Sequence, residues 1–124
     1  MTNVLVVDDE EGFQTLLGDV LGQAGHTVVT ARTGQEGLAR LAERPFDLLL
    51  VDQRLPGLSG LEFLDHYRSA GHRAPVIVMT AFAEVPLVVS AMRLGAADFL
   101  IKPFGLDTLL PVVARCLRPP AAAS

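Results

Sequence analysis

The sequence has a single cysteine, no apolar run long enough to cross a bilayer and no excess of positive charge. Each lack closes a class of function. Cys116 has no partner in the chain, so no internal disulfide is available and a reducing, cytoplasmic setting is the simplest expectation. It stands among apolar residues at helical spacing, where a free cysteine acts as a small packing side chain. No stretch approaches the roughly 18 apolar residues that a membrane span needs. The apolar N-terminal run stops at Asp8-Asp9, which does not suit a secretory signal. With 14 acidic against 10 basic residues and a formal net charge of −4, the chain lacks the basic face that displaces counterions from nucleic acid. No internal repeat occurs, and no low-complexity segment beyond the C-terminal alanines.

What is present is a half-apolar chain, 50% hydrophobic with a mean hydropathy of +0.39. Its 124 residues suffice for one domain with a genuine core. Four apolar runs each end in a polar signal. Asp8-Asp9 follows Val4 to Val7, Asp52 follows Leu48 to Val51, Thr80 follows Val76 to Met79, and Lys102-Pro103 follows Phe99 to Ile101. Apolar runs this short, bounded by turn or helix signals, read as strands buried on both faces. If they are parallel, all four signals emerge at one sheet edge, where open α/β sheets place their ligands.

Helical spacing fills the gaps. A first helix runs from about Glu10 to Ala24, with Phe13, Leu16, Leu17, Val20, Leu21 and Ala24 on one face, and Gly25 stops it. His26 to Ala31 reads as a further, more exposed strand. Thr33-Gly34-Gln35-Glu36 has the capping-box pattern and opens a helix that ends before Pro45. Ser59-Gly60-Leu61-Glu62 repeats the pattern and opens one through Tyr67-Arg68. Pro86 suits the first turn of a fourth helix, which Gly95 closes. A fifth covers about Thr108 to Leu117; a start near Thr108 would keep Pro111 within the first turn, where its missing N–H has no partner to lose. The (βα)5 alternation predicts an α/β fold with a parallel sheet and helices on both faces. Residues 1–118 form the expected domain, and Pro119 to Ser124 a tail or the beginning of a linker.

Asp8, Asp9 and Asp52 at one edge would repel one another if ionised and unpaired, and a divalent cation removes that conflict. Carboxylate oxygens, a backbone carbonyl and waters suit Mg²⁺ and tolerate Mn²⁺. The plainer alternative is that Asp8 or Asp9 caps the first helix. Asp52 can also act as a nucleophile that accepts a phosphoryl group, a transfer that needs positive charge on the phosphoryl oxygens. Lys102 supplies such charge and the Thr80 hydroxyl a hydrogen bond. Taken singly, Thr80 could merely end a strand and Lys102 could be a solvated surface residue. Lys102-Pro103 is a candidate cis bond.

These residues, together with Arg54-Leu55-Pro56-Gly57 after Asp52 and the run from Gly95 to Phe104, resemble the receiver domains of bacterial two-component response regulators over about residues 3–117. The segment Phe82 to Leu87 looks most like receivers of the NtrC, DctD and FixJ groups. The resemblance implies a doubly wound, flavodoxin-like and CheY-like sheet of strand order 2-1-3-4-5. It implies that Asp52 takes phosphate from a phosphohistidine of a sensor histidine kinase or phosphotransfer protein. Asp9 would bind Mg²⁺ directly and Asp8 partly through water, with Asp52 and the Arg54 carbonyl completing the protein ligands. Thr80 and Lys102 would hold the phosphoryl group, and Phe99 matches an aromatic switch position coupled to Thr80. Such a module is a phosphoacceptor with self-phosphorylation and self-dephosphorylation only, not a turnover enzyme.

The fourth helix offers two apolar stripes, Val85-Val89-Met92 and Leu87-Ala91-Leu94, and both cannot pack equally on the sheet. Leu87, Ala91 and Leu94 are therefore candidates for a partner surface. The face of the fourth helix, fifth strand and fifth helix is expected to mediate homodimerisation or output contact. Arg54 and Phe82, each two positions beyond a key residue, would hinder an attacking water and slow the loss of phosphate. The main alternative is a small Mg²⁺-dependent phosphohydrolase with an aspartyl nucleophile. Arg54 occupies the place where such an enzyme usually carries a second carboxylate. A flavodoxin-like nucleotide binder would need a glycine-rich loop after the first strand, and none is there.

Overall fold

The computed structural model describes residues 2–81 and 85–117, excluding the side chain of Val85. Five strands alternate with five helices: β1 (Thr2–Val7), α1 (Glu11–Gln23), β2 (His26–Ala31), α2 (Gly34–Glu43), β3 (Leu48–Asp52), α3 (Gly60–Ser69), β4 (Val76–Thr80), α4 (Val85–Arg93), β5 (Asp98–Ile101) and α5 (Leu106–Leu117). The strands form one sheet in the order β2-β1-β3-β4-β5, every pairing parallel. The expected tail, residues 119–124, lies outside the described residues, as do Phe82, Ala83 and Glu84.

The apolar runs become strands because both sheet faces are covered. Val4, Val6, Leu48, Leu50, Ile77 and Met79 face Leu17 and Leu21 of α1 and Leu109 and Val113 of α5. Their neighbours Leu5, Val7, Leu49, Val51, Val76 and Val78 face Phe63, Leu64 and Tyr67 of α3 and Ala91 of α4. Every residue of β3 and β4 is buried, whereas β2 at the edge is mostly half-buried. Alternate side chains of a strand point to opposite faces, so one uninterrupted apolar run serves two cores.

The caps largely follow expectation. Ser59 and Glu62 make the full reciprocal box at α3, with bonds of 3.2 and 3.0 Å. At α2, Thr33 accepts from the Glu36 N–H at 3.0 Å, while the Glu36 carboxylate turns to the Arg32 N–H. Pro86 falls in the first turn of α4, and Gly95 beyond its end has φ +92°.

Two expectations are corrected. α5 begins at Leu106, with the Thr108 and Leu109 N–H groups bonding to the Gly105 carbonyl, so Pro111 lies inside the helix and not in its first turn. It is tolerated because Pro111 and Asp107 are both on the exposed side, where water can satisfy a carbonyl that proline leaves without its N–H partner. On α4, two of the three residues expected to face a partner, Ala91 and Leu94, pack inward. Ala91 is fully buried in the core and Leu94 packs against it, while Val89 and Met92 are 42% and 49% exposed. Two apolar stripes on one helix cannot be ranked by periodicity, and here the small Ala91 takes the close approach to the sheet.

Candidate functional site

The sheet delivers its polar signals to one edge by extending its own hydrogen-bond ladders. The Asp8 N–H bonds to the Ala31 carbonyl at 2.9 Å, the Gln53 N–H to Met79 at 2.8 Å and the Lys102 N–H to Thr80 at 2.7 Å. Asp8, Gln53 and Lys102 are thereby each held to a neighbouring strand just as their own strands end. The Lys102-Pro103 peptide bond is cis.

Three carboxylates meet there. Ligand-capable oxygens of Asp8, Asp9 and Asp52 all lie within 4.8 Å of one another, with Asp8 and Asp52 buried and Asp9 exposed. Neither Asp8 nor Asp9 is the N-cap of α1. That position is Glu10, whose side chain makes no cap bond, although its N–H donates to Asp8 Oδ1 at 2.9 Å. The acidic pair is therefore not consumed by capping. Lys102 Nζ lies 2.6 Å from Asp8 Oδ2 and 3.3 Å from Asp52 Oδ1, which places it on the acidic cluster and not in solvent. Thr80 is buried at the end of β4, beside a cleft of about 660 Å³ whose walls include Asp9, Arg54, Leu55, Thr80 and Leu87. Leu87 thus borders the site. Phe99 is half-buried against the core on the α3 and α4 side, and its N–H bonds to Asp98 Oδ1.

Electrostatics follow from this crowding. Burial pushes the Asp52 carboxyl up to about 6, the neighbouring Asp8 charge adds to the rise, and Lys102 only partly opposes it. For Lys102, burial pulls downward, but the hydrogen bond and charge of Asp8, with those of Asp52, outweigh it and hold the ammonium above its ordinary value. A buried carboxylate crowded by two others and only partly compensated is a donor set that fits a hard divalent cation.

Four supporting residues escape a reading of motifs. Gln14 is a buried polar side chain that donates to the carbonyls of Asp8 at 2.5 Å and Ala31 at 2.9 Å, tying β1 to β2 below the site. Its signal is a glutamine in register with Leu17 and Leu21 on an apolar helix face. Gln53 accepts from the Leu61 N–H at 2.9 Å, fastening α3 to the end of β3. Gly60 lets that helix start against the strand, for a Cβ there would stand 2.6 Å from the Asp52 carbonyl oxygen. Phe13 lies under Lys102, its ring centroid 4.2 Å from Nζ.

Among the described residues no helix is long and apolar enough to cross a membrane. Residues 4–114 match the response regulator receiver domain family. The chain is 39% identical over 118 residues to the regulatory protein AtoC of Escherichia coli (strain K12), covering 95% of this chain and 26% of AtoC. It is 40% identical over 114 residues to the DNA-binding transcriptional regulator NtrC of Salmonella typhimurium, covering 92% of this chain and 24% of NtrC. Among solved structures, the chemotaxis protein CheY4 of Vibrio cholerae matches with a TM-score of 0.90 at 31% identity, over 94% of this chain and 99% of that one. The receiver domain of NtrX from Brucella abortus matches with a TM-score of 0.86 at 36% identity, over 92% and 97% of the two chains. The chain thus spans about a quarter of the length of AtoC and NtrC. These relatives are regulators, which does not favour the phosphohydrolase alternative. The chain belongs to the receiver domains of two-component response regulators, signalling domains that work with histidine kinases.

Proposed function

We propose that Asp52 is the phosphoacceptor of this receiver and that a phosphohistidine, on a sensor histidine kinase or a phosphotransfer protein, is its donor. A carboxylate oxygen of Asp52 attacks phosphorus, the P–N bond to imidazole breaks as the P–O bond forms, and the leaving imidazole takes up a proton. The observation that carries this reading is the buried Asp52 at the end of β3, with Lys102 Nζ at 3.3 Å and the Asp8 and Asp9 carboxylates within 4.8 Å. Asp8, Asp9, Asp52 and the Arg54 carbonyl are the residues that would hold Mg²⁺, or Mn²⁺ in its place. When bound, the cation neutralises charge on the phosphoryl oxygens. Lys102 contributes a second positive charge and Thr80 a hydroxyl donor.

The output follows from the same residues. A phosphoryl group adds charge and acceptor oxygens next to Thr80 and Lys102, and movement of Thr80 toward it would open space for the Phe99 ring, biasing a two-state element. The face of α4, β5 and α5 would then carry the signal to a second copy or an output domain. Val89, Met92 and Ile101, the last 55% exposed, supply its apolar surface. Arg54 beside the cleft would hinder an attacking water, with Phe82 expected to share that role from outside the described residues. The domain so understood phosphorylates and dephosphorylates only itself, in the cytoplasm.

The test is incubation with an acyl phosphate and Mg²⁺. One base-labile phosphate per chain, absent from Asp52→Asn and abolished by chelator, is expected. Multiple turnover on a phosphomonoester, or phosphate retained by Asp52→Asn, would overturn the assignment.

A further inference from the structure

Lys102 is the sole lysine of the chain. Its side chain leaves a segment whose flanking residues, Ile101 and Pro103, are both exposed. A four-carbon stem on such a base has many rotamers, most of them hydrated, yet this side chain is only 17% exposed. Two carboxylates attract the ammonium from one side. On another side it meets an aromatic face: Nζ stands 4.2 Å from the centroid of the Phe13 ring. Phe13 in turn meets Phe104 edge to face, with centroids 5.7 Å apart and planes at 82°. α1 and the segment after β5 are therefore joined through one aromatic pair, with the lysine head lodged against it.

Phe13 packs against the edge of the core on the α1 and α5 side, a place that an aliphatic side chain could also fill. Leu17 and Leu21, at most 1% exposed, fill the inward face of α1, whereas Phe13 is half-buried at the rim. A ring face attracts a cation without bringing a charge of its own. It can hold an ammonium near Asp52 without competing as an anion for the same place. A third carboxylate there would hold Lys102 more firmly but would repel an incoming phosphoryl group.

We propose that Phe13 is a positioning residue for the phosphoryl site, its ring face holding the Lys102 ammonium within reach of Asp52 and its edge contact with Phe104 holding the ring. The proposal rests on the assignment of Asp52 as phosphoacceptor. In the unphosphorylated chain the ammonium leans on Asp8. When Asp52 carries phosphate, the ammonium turns toward the new oxygens while keeping the ring beneath it.

Because there is one lysine, selective ¹³C labelling of lysine yields a single set of side-chain signals in the full chain. The ε-methylene protons of the wild type are expected upfield of a solvated lysine, from the ring current of Phe13. Phe13→Leu should abolish that displacement and Phe13→Tyr should keep it. Phosphate uptake from acetyl phosphate at saturating Mg²⁺ forms the Asp52–phosphate bond as the acyl–phosphate bond breaks and acetate leaves. Its rate should fall roughly 2- to 30-fold in Phe13→Leu, the range of a cation–ring contact, and return in Phe13→Tyr. A wild-type signal at the solvated position overturns the proposal whether or not any variant folds. So does uptake by Phe13→Leu at the wild-type rate, or a loss that Phe13→Tyr does not restore. Failure of the wild type to take up phosphate would instead remove the Asp52 assignment, while the methylene shift would still report the contact.

Discussion

The Lys102 ammonium contacts Asp8 more closely than Asp52, at 2.6 against 3.3 Å. Its first partner in the unphosphorylated protein is thus one of the candidate metal ligands. A divalent cation entering the cluster has to share the two carboxylates with a charge of its own sign. Lys102→Met should therefore bind Mg²⁺ or Mn²⁺ about tenfold more tightly, equivalent to about 1.4 kcal/mol, while taking up phosphate more slowly. Calorimetric titration set beside uptake kinetics measures both. Metal affinity that falls in Lys102→Met would show that the lysine supports the cation site and does not oppose it.

Asp52 gives the site a pH signature. In the folded chain its carboxyl keeps a proton up to about pH 6, against 3.8 for the free group. Between those values the native state binds more protons than the unfolded chain, so this group makes stability fall as pH rises. The penalty is absent below about pH 4 and complete above about pH 6, where it reaches about 3 kcal/mol. With metal removed by chelator, Asp52→Asn should be about 1–3 kcal/mol more stable than the wild type at pH 7 and nearly equal to it at pH 4. Urea unfolding at the two pH values provides the comparison. A gap that does not widen toward neutral pH would contradict the burial argument.

The candidate site residues are legible because they terminate apolar runs. In a parallel sheet covered on both faces, a run such as Leu48 to Val51 has no polar interruption, so the first polar residue marks the strand end and the functional edge together. Lys102, Asp52 and Thr80 could be placed on that logic. What stayed hidden depends on contacts between distant segments. Nothing near Phe13 signals that a lysine 89 residues later will lie on its ring, and Gly60 looks like an ordinary cap residue until Asp52 is behind it. α5 starts at Leu106 and not near Thr108 because the Gly105 carbonyl takes the Thr108 and Leu109 N–H groups, and because Asp107, whose carbonyl loses its partner to Pro111, lies on the exposed side, neither of which local sequence displays. On α4 apolarity alone does not tell small Ala91, which turns inward, from large Met92, which turns outward.

Gly60 lets the third helix start against the end of β3, which carries Asp52. A methyl group there would stand 2.6 Å from the Asp52 carbonyl oxygen and 2.8 Å from the Gln53 Cα, both backbone atoms that cannot swing aside. Gly60→Ala should therefore displace the start of α3, losing about 1–3 kcal/mol as overpacking does, and should slow phosphate uptake at Asp52. Gly71→Ala is a useful contrast, since its difficulty is a φ of +90° with open space around it. It should destabilise without altering uptake. Equal effects of the two substitutions on uptake would refute a specific role for Gly60 behind Asp52.

The division of α4 into an inward and an outward stripe can be measured directly. Ala91 is fully buried in the core on the α3 and α4 side of the sheet, so a carboxylate there would be desolvated. Ala91→Asp should abolish cooperative folding or lower stability by more than about 4 kcal/mol, the range of unpaired buried charge. Val89→Asp and Met92→Asp replace side chains that are 42% and 49% exposed and should shift stability by no more than about 0.5 kcal/mol. The same two variants then become probes of the outer face. If α4 joins a second copy when Asp52 is phosphorylated, they should weaken that association in sedimentation while leaving phosphate uptake intact. Stability losses in Met92→Asp as large as those in Ala91→Asp would show that the helix is buried on both sides, and would remove the apolar surface on which the interface depends.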